Sequence, residues 1–184
     1  MTRIIAGVAG GRRLVVSDTA TRPTSDRARE AFFSSLVSMR DLVGASVLDL
    51  YAGSGAVGLE ALSRGAAHAL LVESDPKAVA AIASNIESVE LAGAVLRRHA
   101  VEKLAATVAA KPYDVVFADP PYQLPAPALE SVLVQLWRQG WLADDAVVVV
   151  ERSSRDTPWV WPLPWEPVQS RQYGEAALWY GRRP

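Results

Sequence analysis

From residue 46 onward, short uninterrupted apolar runs alternate with longer segments in which apolar residues recur every three or four positions. The runs at 47–51, 69–73, 95–98, 113–118 and 146–152 are too continuous for amphipathic helices, and they predict strands buried on both faces. The segments 55–64, 76–91, 101–110 and 126–139 predict the intervening helices. This alternation specifies an α/β fold, a doubly wound parallel sheet with helices on both sides. Near the end, 168–173 and 176–180 flank Gly174 and Glu175, so the last two strands are expected to pair as an antiparallel hairpin.

The first forty residues read differently. Residues 3–16 form two short apolar stretches around Gly10 and Gly11, which predicts a small β-hairpin arm. After Pro23, Thr24 or Ser25 can cap a helix that runs through Met39, with Ala28, Ala31, Phe32, Leu36 and Met39 on its apolar face. The expected organisation is an arm and helix over 1–40 and a main domain over 41–184. A chain of 184 residues suits one domain with small appendages.

Composition narrows the classes. Half the residues are apolar and 21% are charged, the balance of a globular protein. The longest strongly apolar run, 146–150, cannot cross a bilayer. Glycines interrupt the apolar stretch after Arg3, and Arg12 and Arg13 follow at once, so a signal peptide is not indicated and a cytoplasmic protein is expected. The absence of cysteine excludes disulfides, thiolate-bound zinc and a cysteine nucleophile. With His68 and His99 the only histidines, no metal site is expected. Residues 1–40 carry seven arginines against three acids, while the remainder of the chain is net acidic. That surplus is either a solvated surface or an arm that follows phosphates through Arg3, Arg12, Arg13 and Arg22.

Two loops carry the candidate chemistry. Asp49, Tyr51, Gly53, Ser54, Gly55 and Gly58 lie where the first strand of the sheet turns into the first helix, and glycines there let the backbone approach a ligand. Glu73 ends the next strand, where an acid accepts from ribose hydroxyls, and Ser74 follows it. The glycine spacing suits NAD or S-adenosylmethionine equally. Asp49 tips the balance, because a carboxylate there repels a pyrophosphate and suits a cationic amino-acid moiety. At the end of 113–118 stands Asp119, Pro120, Pro121, Tyr122. Two prolines stiffen this turn and remove two N–H donors, leaving acceptors that suit an amine. An exocyclic amine on a base is a poor nucleophile and must be held. Asp119 and the Pro120 carbonyl can take its hydrogens while Tyr122 stacks on the ring.

Together these two loops look like those of the class I amino-methyltransferases. Arg22, Pro23 and Thr24, then Arg27, Glu30 and Phe33, with the hairpin arm and Tyr173, Gly174, resemble the RsmD family of 16S rRNA guanine-N2 methyltransferases over essentially the whole chain. The resemblance implies a Rossmann-like, seven-stranded, mostly parallel sheet with an antiparallel last strand, S-adenosyl-L-methionine as donor, and a guanine of the small ribosomal subunit as acceptor. By motif, Asp49, Gly53, Gly55 and Glu73 would contact cofactor, Asp119, Pro120 and Tyr122 would hold the base, and Thr24 and Arg27 would close over the cofactor. His99, Ala100 replaces the acid many related enzymes place near adenine, which leaves Ala100 or backbone for that contact. No membrane or metal partner is expected, and a monomer is.

Guanine offers two donors along one edge, which an ionised Asp119 matches as an acceptor. Adenine-N6 methylation, a nicotinamide-dependent oxidoreductase and a non-catalytic RNA-binding assembly factor are the alternatives. Trp159, Trp161 and Trp165, set among prolines, are expected to pack over the sheet edge, and Trp137 and Trp141 to be core.

Overall fold

The computed structural model describes residues 2–18 and 26–183. Two short strands, β1 (Thr2–Arg3) and β2 (Arg13–Leu14), precede helix α1 (Asp26–Met39). Then follow β3 (Ser46–Leu50), α2 (Ala56–Ser63), β4 (His68–Glu73), α3 (Pro76–Val89), β5 (Ala94–Arg98), α4 (Val101–Ala105), β6 (Tyr113–Ala118), α5 (Ala126–Arg138), β7 (Leu142–Ser153), β8 (Glu166–Tyr173) and β9 (Ala176–Arg182). The seven-stranded sheet has the order β5-β4-β3-β6-β7-β9-β8. Strands β3 to β7 are parallel, and β9 enters antiparallel between β7 and β8. This is the sheet expected from the sequence, including the reversed last strand.

Alternation along each strand divides the core in two. Val47, Leu71, Val115, Phe117, Val147 and Val149 join Phe32, Phe33, Leu36, Leu59 and Ile82 on the face covered by α1, α2 and α3. Leu48, Leu50, Val72, Val116, Val148 and Val150 join Leu104, Leu129 and Leu133 under α4 and α5. Because successive strand residues point to opposite faces, a run with no polar break is what a sheet covered on both sides requires. Trp141, Trp159 and Trp165 are buried in the second layer, with Trp137 and Trp161 packed against it, as expected.

Three elements depart from their expected bounds. Helix α4 stops at Ala105 because Thr107 turns back on Leu104 through both its N–H and its hydroxyl, and Ala109 N–H then donates to Gln139. Strand β7 begins at Leu142, four residues before its apolar run, with a register irregularity against β6 and Asp145 at φ 59°. The arm's ladder is two residues long because its backbone donors go to α2 instead. Buried Glu60 accepts from Ile5 and Ala6 N–H at 2.7 and 3.0 Å, and Ser63 Oγ accepts from Ala9 N–H at 3.0 Å. The expected cap residues Thr24 and Ser25 lie outside the described residues.

Asn85, buried in α3, ties the return stretch of the arm to the sheet. Its amide accepts from Val15 N–H at 2.7 Å and donates to Val15 and Ser54 carbonyls at 2.9 and 2.8 Å. Truncation strands the buried Ser54 carbonyl and two partly buried groups of Val15, and a buried group costs about 1–3 kcal/mol when unmet. Asn85→Ala is therefore expected to lower stability by about 2–4 kcal/mol in urea unfolding and to speed hydrogen exchange at Val15. Wild-type stability and protection would show that solvent satisfies these groups.

Candidate active site

Ligands of doubly wound sheets bind beyond the carboxyl ends of the strands, where neighbouring connections leave to opposite sides. In this sheet that point is between β3 and β6, because β4 and β5 extend one way and β6 and β7 the other. A cleft of about 510 Å³ opens there, lined by Tyr51 to Ser54 after β3, Glu73 and Ser74 after β4, and Asp119 to Tyr122 after β6. The glycine loop and the proline loop, distant in sequence, thus face one cavity.

Asp49 sits at the end of β3, buried, and its Oδ2 accepts from Gly58 N–H at 2.9 Å. That bond fixes the first turn of α2 against β3. Gly55 adopts φ +76°, and a Cβ there would stand 2.7 Å from Leu71 Cδ2, so only glycine fits the tight entry to α2. A Cβ on Gly53 would instead meet nothing nearer than 4.0 Å. The Gly53 N–H donates to Glu73 Oε2 at 2.9 Å, and Ser74 and Asp75 N–H donate to Glu73 Oε1 at 2.7 and 2.9 Å. Three of the four acceptor positions of this carboxylate are so filled among the described residues, leaving one on Oε2 for a ligand hydroxyl.

Acids converge on this edge. Burial, opposed by the Gly58 bond and reinforced by Glu73, pushes Asp49 up to about 8. Burial and the neighbouring Glu151 and Asp49 raise Asp119 well above the usual carboxylate range, against the pull of Arg152. A cation placed among these groups restores their ionised forms, whereas a diphosphate would add to the repulsion. Tyr51 continues the wall at φ 57°, a left-handed conformation costing a non-glycine residue about 1 kcal/mol. Its hydroxyl donates to Glu102 Oε1 at 2.9 Å on the exposed side of the cleft wall.

On the opposite side, Asp119 is half-buried, Pro120 is buried and Tyr122 is 58% exposed. The Pro121 carbonyl accepts from Leu124 N–H at 2.9 Å, which leaves the Pro120 carbonyl as the one to meet an amine. An exposed aromatic beside an acid and a carbonyl forms a shelf for a flat ring carrying N–H donors.

The other candidate residues are placed as follows. Gly55 shapes the loop from behind rather than lining the cleft, and Val101 and Glu102 form the wall beyond β5 where Ala100 was expected. Ala100 precedes α4, and its carbonyl faces His99 Nδ1 at 2.9 Å. Arg27 is exposed, while Arg29 lines the cleft, buried, with its guanidinium on Asp26 and the Arg3 carbonyl and near Glu60. Arg3 is exposed beside Asp26, Arg13 is exposed, and Arg12 donates to the Ser88 and Val89 carbonyls at the end of α3. Thr24 and Arg22 lie outside the described residues. Sequence reasoning missed Arg29, Glu102 and Glu151. Arg29 carried a signal, its i,i+3 spacing from Asp26, and Glu151 closes the apolar run of β7 level with Asp119.

Comparison with known proteins places this geometry. Residues 2–182 match the family model described as "Conserved hypothetical protein 95". Ribosomal RNA small subunit methyltransferase D of Escherichia coli K12 is 38% identical over 177 residues, 95% of this chain and 86% of that protein. The chain belongs to this family, the RsmD family. The solved structure of Escherichia coli yhhF matches with TM-score 0.86 and 35% identity, covering 99% of this chain and 97% of that one. A Salinibacter ruber RNA methyltransferase, solved with S-adenosyl-L-homocysteine, shares the fold at TM-score 0.66 and 16% identity, covering 89% and 94% of the two chains. The RsmD fold is therefore the class I methyltransferase sheet. Among the described residues no helix is long and apolar enough to cross a membrane.

The raised Asp49 sets a linked pair of expectations. Unfolded, this carboxyl ionises near 3.8; folded, it holds its proton to about 8, so it costs the ligand-free protein stability as pH rises between those values. Asp49→Asn should raise the ligand-free Tm at pH 8 yet weaken binding of a cationic cofactor at least tenfold. Wild-type affinity for that cofactor should climb about tenfold per pH unit between roughly pH 6 and 7.5, where binding must expel the proton. A pH-independent affinity in calorimetric titration would show that Asp49 is not the group opposing binding.

Proposed function

We propose that this chain methylates the exocyclic N2 amine of a guanine in 16S rRNA of the small ribosomal subunit, using S-adenosyl-L-methionine. One observation supports this reading above the others: the proline loop Asp119 to Tyr122, rich in acceptors, and the glycine loop line the same cleft. An enzyme that joins a cofactor and an amine needs both to meet there. The similarity to ribosomal RNA small subunit methyltransferase D over 95% of the chain supports the rRNA substrate.

S-adenosyl-L-methionine, when bound, supplies a methyl on a sulfonium and with it a good leaving group. The residues present fit it. Asp49 offers negative charge to the cationic amino-acid end, Gly53 leaves room at the loop, and the open Oε2 position of Glu73 accepts a ribose hydroxyl. Val101 and Tyr51 provide apolar surface for a purine. Thr24 and Arg27 are proposed to close over this side.

The protein's work on the acceptor is positioning. Asp119 takes hydrogen bonds from the guanine N1 and N2 hydrogens, the Pro120 carbonyl takes the second N2 hydrogen, and Tyr122 stacks on the ring. The amine lone pair is then held toward the cofactor, within roughly 3–3.5 Å of the reacting carbon. Burial that raises Asp119 when the cleft lacks a ligand also strengthens its bonds to the base once cation and donors restore its charge. The base must leave its stack to enter, and unpaired RNA presents it at least cost.

Labelled methyl offered to small subunits, free rRNA and DNA, followed by nucleoside digestion, is expected to appear in RNA as N2-methylguanosine. Label in N6-methyladenosine, or in DNA alone, would sink the assignment. Asp119→Asn should lower single-turnover transfer on the order of a hundredfold while leaving cofactor binding largely intact. Full activity of that variant would remove Asp119 from base recognition.

A further inference from the structure

The proposed substrate is a polyanion, yet the cleft that takes its base is ringed by carboxylates. Cations must hold the strand beside those acids without entering the site. Arg12, at the arm's glycine turn, is poorly placed for this. Arg12 caps the C-terminal end of α3, whereas the cleft lies at the N-terminal end of that 14-residue helix, about 20 Å away.

The sheet register points elsewhere. Ala118 pairs with Val150, so Asp119 stands level with Glu151; Glu151 pairs with Leu178, and Leu178 with Arg171. One rung thus crosses β6, β7, β9 and β8 from the acid of the base pocket to an exposed arginine. Cross-strand partners share a face. Leu178 belongs to the core layer on the α1 side, so Arg171 faces the same side as the cleft acids. At about 4.8 Å per strand, Arg171 stands about 14 Å from Asp119, a few nucleotides along an RNA strand. Its charge acts on the buried Tyr180 phenol, which confirms the face, and Tyr173 two residues on packs half-buried against the same layer.

Two further features extend this ledge. Arg155, just beyond β7, is exposed and bonded to Glu175 at 2.9 Å with side chains 81% and 51% accessible. Such a pair is worth little in water and exchanges readily for a phosphate. Strand β8 is the sheet edge, and 167–173 carries no acid among Gln169, Ser170, Arg171 and Gln172.

We propose that the β8 edge is the RNA-binding ledge, with Arg171 and Arg155 taking phosphates beside the nucleotide whose base enters at Asp119. This rests on the rRNA reading above and names the surface that serves it. The test uses small subunits that lack the modification, and their free 16S rRNA, with the full chain. Arg155→Glu with Arg171→Glu is expected to weaken RNA binding at least tenfold and to lower the slope of log affinity against log salt by about one to two. KM should rise while kcat at saturation and cofactor binding hold. Arg171→Lys should retain binding, since a phosphate needs only the charge. Lys111→Glu, exposed just before the amino end of β6 and beside Tyr113, reverses one charge as each arginine change does and should leave affinity unaltered. Unchanged affinity and salt slope in the double variant, or an equal loss in Lys111→Glu, would overturn the ledge. If wild-type protein methylates RNA in the same assay, that failure falls on the ledge alone; if it methylates none, the functional reading fails by itself.

Discussion

Burial of carboxyl groups at the carboxyl edge of the sheet, reinforced by their closeness to one another, governs this molecule. Asp49, Asp119 and Glu151 end or follow adjacent strands, and Glu73 closes the next one. Water cannot screen them well, because Asp49 is 2% and Glu151 9% exposed. The fold therefore carries an electrostatic cost that a positively charged ligand relieves, and the same cost disfavours nucleotides bearing diphosphate. Selectivity between two ligand classes that share a glycine loop is set by where the acids stand.

Such a cluster demands a stiff frame, and the frame is built from backbone held by buried polar side chains. Asp49 pins α2 to β3 through Gly58, Glu73 pins the glycine loop to β4, and Asn85 pins that loop to α3 and the arm. Glu60 repeats the device, receiving the arm's N–H groups and the Arg64 guanidinium while lying near Arg29. Burying a carboxylate is tolerable only when its acceptors are filled, and here backbone donors fill them. Arg29 links this network to the cleft, so the arm and first helix are continuous with the wall of the site rather than an independent attachment.

The division of charge follows from the same geometry. The cofactor side of the cleft is acidic, and the cations that can serve a polyanion lie outward along β7 and β8. On the proposed reading, separation of the two by roughly three strand spacings lets one edge of one sheet attract a cation and an anion at once.

The strands were legible in the sequence because burial on both faces leaves unbroken apolar runs, and the two loops because glycine, proline and acid gather at strand ends. The doubly wound sheet, the terminal hairpin and the packed tryptophans follow from those local rules, while the seven strands and the reversed last strand were what the family resemblance implied. The short β-arm, the early end of α4 and the place of Arg29 do not, since each depends on which distant group satisfies a backbone donor or a buried charge. Arg12 and Arg29 are both arginines in a basic stretch, yet one caps a helix and the other lines the cleft. Sequence by itself determined the layers of this protein and the residue types at its functional edge. Tertiary structure alone decided which of those residues share a cavity, because hydrogen bonds and charges act through space, and the chain brings together positions as distant as 49, 119 and 151.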